Sequence, residues 1–182
     1  AFDSSKFDLN QESVNSPNKV RVDLKNNNFY LNTSYKGGFG NNWQVTTGLS
    51  YGYSKNKLGL DLDKLNNDEN ASHLKFKLRK SISQHVKLAF GTDYFITRFN
   101  EDFTPNSGFG GTSGYNSSIA AAFAEGDILF TKNFAAKVGV RASYNDLLDE
   151  TAVAPRVSLA YKLNKTSQFS FAYGHFTQAP SV

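Results

Sequence analysis

Apolar and polar side chains alternate with a period of two along most of this chain, and helical spacing is nearly absent. The clearest run covers residues 43–54, where Trp43, Val45, Thr47, Leu49, Tyr51 and Tyr53 alternate with Gln44, Thr46, Gly48, Ser50, Gly52 and Ser54. Side chains two apart lie on one face of a strand, so the run predicts one apolar face and one small, polar face. Its 12 residues compare with about five or six in most soluble strands. At about 3.3 Å per residue and roughly 40° of tilt it rises close to 30 Å, enough to cross an outer-membrane apolar band.

The same alternation marks residues 29–36, 74–79, 86–97, 134–144, 155–163 and 169–174. Residues 116–130 are ambiguous, because Ile119, Phe123, Glu125 and Asp127 share a parity. Pairing resolves them. A three-residue turn at 131–133 sets Phe130 against Phe134 and Asp127 against Lys137, leaving Ala124, Gly126, Ile128 and Phe130 as the apolar face. The same turn length at 83–85 sets Asp93 opposite Lys75 and Phe90 opposite Leu78. Opposite charges meet in both hairpins, as a register chosen by side-chain pattern requires.

The connections alternate in length. Residues 37–42, 83–85, 131–133 and 164–167 are short, 145–151 is intermediate, and 55–71 and 99–115 are long, polar loops rich in Asn and Gly. Short turns at one end and long loops at the other are the plan of an outer-membrane barrel. The expected fold is therefore all-β. It is an antiparallel up-and-down meander of about eight long strands over 28–182, part of a transmembrane β-barrel, with 1–27 as a loop or partial strand.

Periodicity does not say whether an apolar face meets a core or lipid; the polar face decides. Here it is rich in Gly, Ser, Ala and Thr with clustered charges, as a crowded or water-filled lumen requires, whereas a soluble sandwich would show water long charged residues. The expected lumen-facing charges, in contact with a plug or a ligand, are Lys75, Lys77, Arg79, Asp93, Asp127, Lys137, Arg141 and Arg156. With Lys87, Lys162 and Glu125 the face counts eight positive charges against three negative. Aromatics gather near strand ends. Tyr35, Trp43, Phe130, Phe134 and Phe169 fall at the short-turn end, and Tyr51, Tyr53, Tyr94, Tyr144 and Tyr173 at the other. Two such girdles mark membrane interfaces.

Composition then changes meaning. The 182 residues contain no cysteine and 26 aromatics, and the mean hydropathy is −0.47. Low hydropathy is compatible with a barrel, since half of every strand and all loops are polar. Zero cysteines exclude disulfides, thiolate zinc sites and a cysteine nucleophile. The net charge of +4 is too small and too dispersed for nucleic-acid binding.

Residues 121–130, Ala-Ala-Phe-Ala-Glu-Gly-Asp-Ile-Leu-Phe, and 134–141, Phe-Ala-Ala-Lys-Val-Gly-Val-Arg, resemble central barrel strands of TonB-dependent outer-membrane receptors. So do Ala154-Pro155-Arg156-Val157-Ser158-Leu159-Ala160-Tyr161-Lys162-Leu163, Phe171-Ala172-Tyr173-Gly174 and Gln178-Ala179-Pro180-Ser181. The resemblance is close over 117–182 and looser over 28–98. It implies a segment of a barrel of about 22 strands in the outer membrane of a Gram-negative bacterium. Such a barrel is non-enzymatic and has no cofactor. Its partners are outer-membrane lipid, a plug domain, TonB and an imported scarce ligand (siderophore, vitamin, peptide or glycan). Neither plug, TonB box, signal peptide nor aromatic C-terminal strand signal is recognisable, so the chain is expected to be a piece of a larger receptor, self-associating through open strand edges.

Other chemistry is poorly supported. His73, His85 and His175 are dispersed, with no H-E-x-x-H. Asp61-Leu62-Asp63 begins like a calcium loop but fails at the third ligand, and residues 108–114 lack the Lys of a P-loop. Two rival readings stay open on the residues alone. One is a complete eight-stranded outer-membrane adhesin or structural protein, which requires its first and last strands to pair. The other is a soluble β-sandwich binding module.

Overall fold

A computed structural model describes residues 1–12, 19–106 and 108–176. The described residues form nine antiparallel strands in one sheet whose order is the chain order. They are β1 (Phe2–Glu12), β2 (Lys19–Phe39), β3 (Trp43–Leu60), β4 (Asp63–Ser81), β5 (Val86–Thr104), β6 (Gly111–Leu129), β7 (Phe134–Asn145), β8 (Glu150–Lys162) and β9 (Gln168–Gly174). The all-β meander is as the alternation predicts. By contact clustering, one unit comprises residues 1–33, 50–73 and 95–117, and a second comprises 34–49, 74–94 and 118–182.

Two expectations need correction. Within residues 1–27, expected as a loop or partial strand, 2–12 and 19–27 are strand: β1 pairs with β2 from Phe2↔Phe29 to Glu12↔Lys19, which makes nine strands among the described residues. The long loops at 55–71 and 99–115 are also largely strand. β3 and β4 run on to a turn at Asp61 and Leu62, where Asp61 takes the left-handed conformation (φ 55°). β5 and β6 leave only residues 105–110 between them. In β1 to β3 the apolar residues of these segments (Phe7, Leu9, Val20, Val22, Leu24, Leu58 and Leu60) sit on the other face from Phe29 and Tyr53, and in β4 to β6 they are few, so the alternation of the band breaks off while the backbone ladder persists.

The inferred register of the β6–β7 hairpin is correct. Asp127 pairs with Lys137, and Phe130 N–H donates to Phe134 O at 3.0 Å across residues 131–133. β7 pairs with β8 so that Gly139 meets Arg156 and Lys137 meets Ser158. β8 pairs with β9 through Ser158↔Ala172. β1 and β9 are the two ends of the strand order, so the first-to-last pairing that a complete small barrel requires is not made among the described residues. The Gln178–Ser181 motif lies outside the described residues.

Burial excludes the sandwich. Among the described residues only Ala89, Asp93, Ala121, Gly126 and Ala136 are buried, and no large side chain is fully enclosed. Tyr35, Phe169 and Tyr173 are 62–69% exposed. The accessible surface is 13085 Å², against about 8,700 Å² for a globular monomer of this mass. A sandwich would bury one apolar face per sheet; here those faces are open.

The polar face is instead closely packed at its small residues. A Cβ on Gly91 would strike the Phe123 ring and lie 2.6 Å from Phe76 O. Gly91→Val is therefore expected to destabilise the sheet by about 1–3 kcal/mol, read from urea unfolding of the refolded protein in detergent; unchanged stability would show that Phe123 does not occupy this position.

Candidate functional site: a polar face laddered with charge

The polar face of β4 to β8 carries long charged side chains separated by residues with little or no side chain, and this spacing sets its geometry. Glu125, Gly139 and Arg156 form one row across β6, β7 and β8. Gly139 leaves the middle of the row open, so Arg156 Nη2 reaches Glu125 Oε1 at 2.8 Å. Lys77 approaches the same carboxylate at 3.8 Å, with its ammonium 5.8 Å from the centre of the Phe123 ring. One turn closer to the short connections, Asp127 accepts from Arg79 at 2.8 Å and lies 3.4 Å from Lys137. Arg141 donates to the buried Asp93 at 2.6 Å.

Seven of the eight charges expected on this face are thus brought into ion pairs. Lys75 forms none among the described residues. Glu125, counted with the face but not singled out, holds two partners. Its parity with Asp127 was the available signal; that Gly139 lies opposite it is visible only once the β6–β7 register is known. The charges expected to meet a plug or a ligand meet one another first: five bases pair with three acids. Arg79 Nε and Arg156 Nε are nonetheless buried without acceptors, so each guanidinium keeps one donor unused. Arg79, Lys87, Asp127, Lys137, Ser158 and Ser170 line a cleft of about 540 Å³, which can accept an acidic or hydroxylated group.

Four of the ten named aromatics, Trp43, Tyr51, Phe130 and Phe134, meet another ring. At the short-turn end Phe130 stacks on Phe134 at 5.2 Å, and Phe134 contacts Tyr161 at 6.4 Å. Phe39 stacks on Trp43 at 6.2 Å, and Lys80 lies 5.0 Å over the indole while donating to Asn41 O at 2.6 Å. Tyr35 and Phe169 stand exposed nearby in sequence to these turns. Toward the other strand ends, Phe29 lies 6.2 Å from Tyr51, whose hydroxyl donates to Asn70 at 2.9 Å. Tyr53 is half-buried, while Tyr94 and Tyr173 are exposed. Tyr144 donates to Asp149 at 2.9 Å.

At the β7–β8 turn, Asp146 accepts from Ser118 N–H at 2.5 Å and from the Ser118 hydroxyl at 2.9 Å. The backbone bond, then the hydroxyl, holds its carboxyl below the usual aspartate range. No cluster of ligating side chains able to hold a metal occurs among the described residues.

A family model described as "TonB dependent receptor-like, beta-barrel" matches residues 2–182. The chain belongs to that family. It is also similar to the solved structure of the alcaligin outer-membrane receptor FauA from Bordetella pertussis, with a TM-score of 0.73 and 13% identity over 95% of this chain. At that identity the likeness is one of fold. The chain spans 31% of the FauA chain. No curated protein matches it in sequence. Within a TonB-dependent receptor-like barrel, the exposed apolar faces and the small-residue polar face are the two surfaces the architecture calls for.

Two outcomes follow from the geometry. Asp93→Asn should cost about 3–5 kcal/mol, because it removes a buried carboxylate from beneath Arg141, whereas Lys137→Gln, on a half-exposed pair, should cost less than about 1 kcal/mol. Equal losses in denaturant titrations would contradict the burial difference. Second, Asp146 has a lowered carboxyl, so its tie to Ser118 is complete at and above the ordinary aspartate range and is lost only as pH falls through the lowered value. Hydrogen exchange at Ser118 N–H should accelerate over that acidic window and not near neutrality; pH-independent protection would contradict the tie.

Proposed function

We propose that this chain is a barrel-wall and external segment of a TonB-dependent transporter that imports a scarce ligand across the outer membrane of a Gram-negative bacterium. Strand length carries the reading. β2 to β6 contain 18–21 residues each, while about 9–11 tilted residues cross the hydrocarbon. Beyond the band, the parity that was apolar turns charged (Arg21, Asp23, Lys25, Lys55 and Lys57), as befits strands continuing into water, while Val20, Val22, Leu24, Leu58 and Leu60 fall on the other parity. The apolar faces pack against lipid, the aromatic clusters sit at the two interfaces, and the charge-laddered face lines the interior. The extended hairpins, rather than long flexible loops, then form the surface that first meets a ligand. A plug domain and TonB are the partners this role requires. Internal ion pairing stiffens the wall and leaves the excess positive charge for the plug or the passing ligand.

The test compares cells carrying the whole receptor, a deletion, and a version whose β3–β4 hairpin is cut to a tight turn joining Tyr53 to Asn70. Each strain grows under limitation for iron, for cobalamin or for glycan carbon. The proposal expects one limitation to slow the deletion strain, with the shortened hairpin and loss of TonB reproducing the defect. Equal growth of all strains in every medium would overturn it.

A further inference from the structure

Residues of β1, β2 and β3 form an ordered series of rows on one face of the first unit. β1 pairs with β2 through Phe2↔Phe29, Ser4↔Asn27, Lys6↔Lys25, Asp8↔Asp23 and Asn10↔Arg21. Between β2 and β3, Asp61 N–H donates to Arg21 O at 2.8 Å, and a Cβ on Gly59 would lie 3.6 Å from Asp23 Cβ. The antiparallel register that joins Arg21 to Asp61 and Asp23 to Gly59 joins Lys25 to Lys57 and Phe29 to Tyr53. An aromatic row, Phe2–Phe29–Tyr53, is thus followed two rows on by a row of three lysines, Lys6–Lys25–Lys57.

Like charges directly opposed on a sheet are destabilising, and this row opposes them twice. Its neighbours do not relieve it. Asp8 and Asp23 lie 2.7 and 3.9 Å from Arg21, and Lys55 in the row between is taken by Asp68 at 3.2 Å. Lys6, Lys25 and Lys57 are exposed and form no ion pair among the described residues. Elsewhere on the sheet, charge is met by opposite charge. Here it is left open.

The row's place on the strands says what would meet it. Lys25 has the parity of Phe29, Leu31, Thr33 and Tyr35, and Lys57 that of Trp43 to Tyr53, so the lysines share the face of the apolar band. They lie four residues past Phe29 and Tyr53, roughly 10 Å further along the membrane normal. The polar zone of a bilayer is some 5–8 Å deep on each side, and a lysine stem snorkels back over several ångströms. The three ammoniums therefore reach the level of lipid headgroups. We propose that Lys6, Lys25 and Lys57 form a docking row for a phosphorylated lipid headgroup of the surrounding leaflet, whose phosphate oxygens accept from adjacent ammoniums and offset their repulsion.

This inference rests on the outward orientation of the apolar face argued under the proposed function, and the experiment separates the two. The whole protein carrying these strands is purified from outer membranes in mild detergent, and bound lipid is counted by native mass spectrometry. Wild type should retain phosphorylated lipid. The triple variant Lys6→Gln, Lys25→Gln, Lys57→Gln should bind it about a hundredfold more weakly, and the triple Lys→Arg variant should restore retention, showing that loss is not misfolding. Equal retention by wild type and the Gln variant would overturn the docking row. So would displacement of the lipid by millimolar inorganic phosphate, which would make the row a free-phosphate site. Recovery of the protein in the aqueous fraction would instead overturn the membrane orientation itself.

Discussion

The hydrogen-bonded ladder that joins each strand to the next in chain order is the constraint on which the other features depend. In lipid no water is present to satisfy a backbone N–H or C=O, so a spanning strand must find both of its neighbours. Once the ladder is set, register is set, and register decides which side chains share a face. The Asp127↔Lys137 pairing fixes this for β6 and β7: a slip of one residue would carry Glu125 and Asp127 to the apolar side and Ile128 to the polar one. The ion pairs are a consequence of the ladder as much as a support for it.

Those pairs depend equally on what is absent between them. Glu125 and Arg156 are two strands apart and meet because Gly139 stands between them. Phe123 lies over Gly91 by the same logic. The abundance of Gly, Ala and Ser on the polar face therefore serves long side chains on flanking strands. A face of uniformly medium residues would give neither the reach nor the nearly buried setting of Asp93. On the opposite face the requirement reverses: among the described residues Tyr35, Phe130 and Phe169 stay exposed, and under the proposed function lipid is the partner that leaves this exposure at no cost.

Much of this was legible in the sequence, because the strands that cross the apolar band announce themselves by alternation. Trp43 to Tyr53 could be read directly, and the β6–β7 register followed from a three-residue turn and one charge pair. The polar strand stretches were illegible for a physical reason. In β1 and the far halves of β2 and β3 the apolar positions change parity, as Leu24 and Leu58 do against Phe29 and Tyr53, and in the far halves of β4 to β6 Asn, Asp, Lys and Ser occupy either parity, so the composition imitates a loop. Pairing holds those segments in strand form, as Lys6↔Lys25 and the turn at Asp61 show. That the charges share one face could be read from parity, but their partners could not, because a contact across an intervening strand needs the register of three strands together.

The central claim is that one face of this sheet meets lipid and the other an aqueous interior. Residues 1–182 contain no cysteine, so with any cysteine elsewhere in the whole receptor replaced by serine a direct measurement is open: single cysteines placed one at a time along residues 43–54, in native outer membranes, each tested with a water-soluble thiol reagent and, after fluorophore attachment, with a lipid-phase quencher. The account predicts strict alternation, with odd positions quenched from the lipid and refractory to the aqueous reagent, and even positions the reverse. Uniform aqueous labelling along the segment, or alternation of the opposite parity, would contradict it.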